Sequence, residues 1–289
     1  MLTPEELREL RRLHISAGRR VDSLFAGAYR SAVRGQGMEF EEVRAYHPGD
    51  DVRHIDWNVT ARTGEPFIKV YREERQVTVL LVVDVSGSTR TGSGGRDGRT
   101  DRRLQIARVA GGLAYASLRN QDRIGLVTFT DEVEKYLTPR RSRGHTWAVI
   151  QHVYEAGLNN RGTSIATALQ FVHQVQRRRA VVILVSDFQD PGSWEGVMGT
   201  LARRHKLHAV LVHDPLDDGA VGSMGLLDVV DAETGRATVV DGARFVAERS
   251  LEERVARVRR TGARTVSLGT REDAFAVLHR HFHREGARR

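Results

Sequence analysis

The chain has no cysteine among its 289 residues. That absence excludes disulfides, zinc–thiolate sites, iron–sulfur clusters and a thiol nucleophile, and it makes a reducing cytoplasm the expected compartment. Any metal must therefore be held by oxygen or imidazole. Long uncharged apolar runs are also missing, so hydropathy predicts no membrane-spanning helix. The opening Met1-Leu2-Thr3-Pro4-Glu5-Glu6 is a charged helix start with a Thr3/Glu6 capping-box pattern and does not read as a signal peptide. Internal repeats and low-complexity tracts are absent as well. Gly92-Ser93-Gly94-Gly95-Arg96-Asp97-Gly98 is glycine-rich, but it lacks both GxGxxG spacing and a Gly-Lys-Ser/Thr ending. It reads as a surface loop without phosphate chemistry.

What is present is enough apolar content, 40%, for one large α/β domain with an appended piece. The formal charge of +8 raises the possibility of a basic nucleic-acid binder, which stands as an alternative. The distribution of charge argues against it. Nearly all basic residues are arginines mixed with 37 acids, and the densest run, Arg177-Arg178-Arg179, falls where a helix should end before a strand. Cations there favour the helix dipole.

From Val77 onward, apolar strand-like runs alternate with amphipathic stretches, the pattern of a mainly parallel sheet covered on both faces. Val77–Val85 and Ala180–Val185 are almost continuously apolar, as central strands buried on both sides require. Ile124–Phe129, Leu207–Val212 and Thr265–Leu268 are further strands, and Glu132–Leu137 alternates as an edge strand does, which makes about six. Core-facing helical stripes are Leu104, Ala107, Leu113 or Ala114 and Leu118; Ile165, Ala168, Leu169, Val172 and Val175; Leu251, Val255 and Val258; and Ala274, Phe275, Leu278 and Phe282. Residues 1–76 read as a separate, smaller layer: a helix to about Leu24, a strand at Glu39–Tyr46, a turn at Pro48-Gly49-Asp50-Asp51, then Ile55-Asp56-Trp57 and a strand at Phe67–Tyr71. Residues 77–289 form the α/β domain, with a hairpin at Leu226–Val240 turning around Thr234-Gly235.

Asp84-Val85-Ser86-Gly87-Ser88 follows the first buried strand, which places one carboxylate and two hydroxyls at its carboxyl end, where open α/β sheets bind ligands. Asp187 ends the other fully buried strand and is expected on the same edge. Thr163, in Gly162-Thr163-Ser164, precedes the helix beginning near Ile165 and adds a third hydroxyl on a neighbouring loop, while Ser164 is the expected helix cap. Two acids brought together repel unless a cation lies between them, and these hard oxygen ligands suit Mg²⁺, with Mn²⁺ or Ca²⁺ as alternatives. Few charges against a divalent ion leave it electrophilic toward an acidic ligand from outside.

In order, spacing and strand context, Asp84-x-Ser86-x-Ser88, Thr163 and Asp187 resemble the metal-ion-dependent adhesion site of the von Willebrand factor A fold, over Val77 to about Phe282. The resemblance implies metal bound directly by the hydroxyls, with the acids acting mostly through water. Ser186-Asp187-Phe188 departs from the Thr-Asp-Gly frequent in that fold, yet keeps the acid. Tyr46-x-Pro48-Gly49-Asp50-Asp51-x-Arg53-x-Ile55-Asp56-Trp57, followed by Ala61-Arg62, resembles the signature of the bacterial domain-of-unknown-function 58 family. That resemblance implies a bacterial protein working beside a MoxR-type AAA+ ATPase in the assembly or maturation of a client complex.

Arg53, Asp56, Trp57 and Arg62 are expected to form an ion-pair and stacking cluster pinning the N-terminal layer to the sheet, with direct contact to a partner as the alternative. Asp50 and Asp51 are expected as turn residues. His279 and His283 have zinc-pair spacing without a third ligand, and His213 ends a strand on the functional rim. The enzyme alternative is a Mg²⁺-dependent phosphatase or hydrolase of α/β class. A phospho-aspartate mechanism needs a second Asp two residues after Asp84, where Ser86 stands, and Ser86 lacks the leading glycine of a nucleophile elbow. The expectation is a docking protein that is not an enzyme.

Overall fold

The computed structural model describes residues 26–34, 38–73, 77–90, 102–156, 162–218, 226–230, 237–241 and 250–287. In chain order the elements among them are α1 (Ala26–Arg34), β1 (Met38–Ala45), α2 (Trp57–Thr63), β2 (Phe67–Glu73), β3 (Thr78–Asp84), α3 (Arg102–Arg119), β4 (Arg123–Phe129), β5 (Val133–Arg140) and α4 (Arg143–Glu155). They continue with α5 (Ile165–Val175), β6 (Val181–Ser186), α6 (Glu195–Arg204), β7 (Lys206–His213), β8 (Leu226–Val230), β9 (Ala237–Asp241), α7 (Leu251–Arg260), β10 (Arg264–Gly269) and α8 (Ala274–Ala287). The helix expected before Leu24 and the Gly92–Gly98 loop lie outside the described residues.

Successive side chains of a strand point to opposite faces, so a strand covered on both faces must be apolar at every position. Val79, Leu81 and Val83 of β3 enter one apolar cluster with residues of α1, α3, α4 and α8. Leu80 and Val82 enter the other, with α5, α6 and α7. The result is an α/β architecture: a six-stranded sheet of order β10-β7-β6-β3-β4-β5, flanked by helices and parallel except for the edge strand β5, which runs antiparallel to β4. The expected strands are all found, with boundaries moved by one to three residues.

Four helices, α1, α2, α4 and α6, were not read from the sequence. Helix α4 carries its own signals, a Ser142 cap and buried Thr146, Val149, Ile150, Val153 and Tyr154 at helical spacing. Helix α6 buries only Met198 and Leu201, too faint a stripe to find. Helix α3 is buried on more than the expected stripe, including Gln105, Ile106, Val109 and Ala110, because α4 and α8 pack against it on the same face of the sheet.

Gly125 is required by close approach: a Cβ there would lie 2.8 Å from Pro139 Cγ and 3.0 Å from the Leu137 carbonyl oxygen on β5. The β4–β5 register is irregular at the same place.

In the N-terminal part, β1 and β2 pair antiparallel, with α2 between them in the chain. Helix α1 packs on α8 and α3. Tyr29 is fully buried, its hydroxyl 2.9 Å from Ser117 Oγ and its ring edge-on to Phe282 at 5.9 Å. Strands β8 and β9 form the expected antiparallel pair, whose tip at Thr234-Gly235 is outside the described residues. Among the described residues no helix is long and apolar enough to cross a membrane.

Candidate metal site

The chain runs from β3 through β4 to β5 on one side of the sheet, and β6, β7 and β10 lie on the other, so the order reverses between β3 and β6. Crevices at the carboxyl ends of strands open at such a switch point. Val83 pairs with Val185, so Asp84 and Ser186 come next in register, and Ser186 Oγ donates to Asp84 Oδ2 at 2.6 Å. Asp84 Oδ1 accepts the Ser86 N–H at 3.0 Å. A single helical turn, Gly87–Arg90, follows. It is closed by Thr89 Oγ1 donating to the Ser86 carbonyl at 2.7 Å, and it sets the Ser86 and Ser88 hydroxyls 3.1 Å apart.

Asp187 follows β6 directly. The turn after it depends on Phe188, whose φ of 55° lies in the left-handed region that bulky residues avoid. Ser186 Oγ accepts the Phe188 N–H at 3.0 Å, and the buried ring packs edge-to-face on Trp194 at 5.6 Å. Packing thus holds a conformation that glycine would adopt without strain. Asp187 Oδ1 accepts the Gln189 N–H at 3.1 Å, while Oδ2 is buried with no hydrogen-bond partner.

The Thr163 loop is tied on two sides. The Ser164 N–H donates to the Thr130 carbonyl, just past β4, at 2.8 Å, and the Ile165 N–H donates to Asp190 Oδ2, just past β6, at 2.8 Å. Strand β3 lies between β4 and β6, so the loop arches over the end that carries Asp84. Ser164 is the N-cap of α5, as expected, accepting the Thr167 N–H. The five expected residues therefore share one rim. Asp84, Ser86 and Asp187 are buried, and Ser88 and Thr163 are half-buried on the open side.

Burial, and after it the negative charge of Asp187, push the Asp84 carboxyl up to about 7 against the pull of hydrogen bonds from Ser186 and Ser86. Like charges at a buried site and an orphaned carboxylate oxygen call for a positive partner. The donor set fits a hard divalent cation: both Asp84 oxygens are engaged by protein donors, whereas Asp187 Oδ2 and the Ser86, Ser88 and Thr163 hydroxyls are oxygen ligands of the right kind. Among the described residues no group of three or more His, Asp or Glu is placed to hold a metal, so this candidate rests on two acids plus hydroxyls.

Residues that the sequence reading missed brace the rim from behind. Arg102 donates to the Ser88 carbonyl at 2.8 Å, and Arg254 donates to the Asp187 carbonyl at 2.7 Å. Both guanidiniums also bond to the Asp217 carboxylate, Arg254 at 3.4 Å. All three residues are buried. A signal for Arg254 existed, since it sits on the apolar stripe Leu251, Val255, Val258 where a solvated arginine has no place. Asp217 carries no such signal.

The expected cluster of Arg53, Asp56, Trp57 and Arg62 does not form. Asp56 caps α2, accepting the Asn58 and Val59 N–H groups at 3.0 and 3.4 Å, and pairs with Lys69 at 3.2 Å. The cap turns its carboxylate toward the helix backbone, so Arg53 pairs with Asp51 instead, at 2.7 Å. Trp57 is 70% exposed and Arg62 is exposed. Asp51 caps the turn Val52–His54, and Asp50 closes the preceding turn through the His47 N–H while accepting two bonds from Arg44 at 2.8 Å. On α8, His281 bonds His208 at 2.9 Å, and the His279 and His283 rings stand 5.9 Å apart.

The profile of the family described as "Protein of unknown function DUF58" matches residues 42–261. An uncharacterized protein of Mycobacterium tuberculosis and one of Mycobacterium bovis are each 30% identical over 287 residues, covering 95% of this chain and 88% of the relative. Among solved structures, the conserved hypothetical protein BatB from Bacteroides thetaiotaomicron superposes with a TM-score of 0.50 at 12% identity, over 73% of this chain and 99% of that one. An aerotolerance-related membrane protein from Bacteroides fragilis does so with a TM-score of 0.50 at 12% identity, over 74% and 100%. At that identity the likeness extends to the fold alone.

Proposed function

This chain belongs to the DUF58 family, and from that premise we propose that it is a metal-dependent protein-interaction module with a von Willebrand factor A-like domain. Asp84, Ser86, Ser88, Thr163 and Asp187 form its metal-ion-dependent adhesion site for Mg²⁺, with Mn²⁺ or Ca²⁺ as substitutes, and dock a carboxylate of a partner protein. The observation that carries the reading is the buried, unpartnered Asp187 Oδ2 at the rim that also holds Asp84 and two adjacent serine hydroxyls. A divalent ion held there supplies an electrophilic position for an anionic oxygen. Ser86, Ser88 and Thr163 contribute neutral ligands, Asp187 contributes charge, and Asp84, bonded at both oxygens, acts through water. A partner reaches the site from the half-buried Ser88 and Thr163 side.

The position two residues past Asp84 is Ser86, which leaves a phospho-aspartate mechanism without its second acid and favours docking over catalysis. The Tyr46–Arg62 signature supports a MoxR-type AAA+ ATPase as partner, acting with this protein in the cytoplasm on the assembly or maturation of a client complex.

The test is calorimetry and thermal unfolding with Mg²⁺. Metal at a hundred times its Kd should stabilise the wild type by about 2.7 kcal/mol. Asp187→Ala should abolish both the heat and the shift, and a purified MoxR-type ATPase should be retained in Mg²⁺ and released in EDTA. Binding of Mg²⁺ by Asp187→Ala as by the wild type would remove the site.

A further inference from the structure

Behind the rim lies a buried arrangement of three charges drawn from three separate parts of the chain. Arg102 opens α3, Arg254 lies in α7, and Asp217 sits in the turn Pro215–Asp218 that follows β7. Their side chains are 4%, 1% and 7% exposed. Asp217 bonds both guanidiniums, accepts the Asp214 N–H at 3.1 Å, and accepts the Gln189 side-chain amide at 3.3 Å. Burying three charges is costly and adds little net stability over apolar residues of the same size. Stability is thus a poor reason for this arrangement. Its second set of contacts supplies a better one: Arg102 holds the carbonyl of Ser88, and Arg254 holds the carbonyl of Asp187.

We infer that Arg102, Asp217 and Arg254 are positioning residues for the metal site, acting as one clamp. It fixes the distance between the serine-bearing loop after β3 and the Asp187 loop after β6, and it links that distance to the placement of α7. The inference rests on the metal-docking reading above. Each guanidinium divides its donors between a loop carbonyl and the shared carboxylate, so the two loops are cross-braced through Asp217 and neither moves without disturbing the other. Arginine is required because its rigid fork reaches two acceptors in fixed directions, whereas a lysine ammonium is a single point on a pliable stem.

Groups that orient metal ligands from behind typically change metal affinity by 10–100-fold when altered. Calorimetric titration with Mg²⁺ alone should show affinity weakened at least about tenfold in Arg254→Lys and in Asp217→Asn, with each variant still unfolding cooperatively in EDTA. Wild-type affinity in both variants, alongside loss of binding in Asp187→Ala, would overturn the clamp while leaving the metal site standing. No Mg²⁺ binding by the wild type would overturn both. Hydrogen exchange on the wild type tests the same claim without a variant: saturation with Mg²⁺ should slow exchange in residues 215–218 and 251–260 as well as in 86–90 and 187–190. Slowing confined to the two metal loops would show that the clamp carries no coupling.

Discussion

Asp84 shows how far a single side chain can be read from its neighbours. Its carboxyl is raised to about 7 first by burial and then by Asp187, so between about pH 4 and pH 7 the metal-free folded protein holds a proton that the unfolded chain has released. A folded state that binds more protons loses stability as pH rises through that window. With respect to this group, metal-free wild type should therefore be most stable at or below about pH 4, weaken up to about pH 7 and change little above it. Asp84→Asn removes the charge and keeps the shape. In EDTA at pH 8 it should be more stable than the wild type by about 2–4 kcal/mol, with the gap narrowing at pH 5 and closing only near pH 4, as urea titrations across that range would measure. An equal difference across the range would mean that Asp84 stays ionised throughout. Asp84, Ser86, Ser88, Thr163 and Asp187 were all legible as residues of one rim because each follows a strand or precedes a helix with a clear pattern. Arg102 and Asp217 were not, because a buried charge is recognised only from what surrounds it.

At the scale of elements, the start of α5 decides where Thr163 stands, and it is held by two caps. Ser164 accepts the Thr167 N–H, and Asp190 accepts the N–H groups of Ile165 at 2.8 Å and Gly192 at 2.6 Å. Asp190→Ala leaves both N–H groups without that acceptor, and it should cost about 2–3 kcal/mol in urea unfolding, more than the roughly 1 kcal/mol of Ser164→Ala. Mg²⁺ affinity should fall in Asp190→Ala but hold in Ser164→Ala, since only Asp190 ties the Thr163 loop to the Asp187 segment. Ser164 was readable as a cap from local sequence. Asp190 was not, because its partner lies 25 residues away in the chain. The same distinction separates strands from their packing: the apolar runs of β3 and β6 announced central strands, but nothing local announced that Gly125 must lack a side chain to admit Pro139.

Across the whole molecule, the sheet separates two apolar clusters, and the first described helix belongs to one of them. Tyr29 of α1 is fully buried against Phe282 of α8 and Ser117 of α3, so a segment ahead of the family signature is packed into the α/β core. Tyr29→Ala should lower global stability by about 3–5 kcal/mol and shift tryptophan fluorescence and far-ultraviolet dichroism transitions together. Separation of the two transitions would show that α1 and the sheet unfold independently.

By itself the sequence determined the α/β class, the central strands, the core-facing stripes of four helices and the identity of the rim residues. Each of these follows from side-chain periodicity and loop chemistry within a few residues, which short-range sterics and hydrophobic burial impose locally. Only the tertiary structure decided that α3 is flanked by α4 and α8, that Asp56 caps a helix and joins no arginine–tryptophan cluster, and that Arg102, Asp217 and Arg254 meet behind the rim. The meeting behind the rim depends on groups far apart in the chain competing for the same buried space and the same hydrogen-bond partners, as Arg102 and Asp217 do across 115 residues. No local pattern encodes that competition.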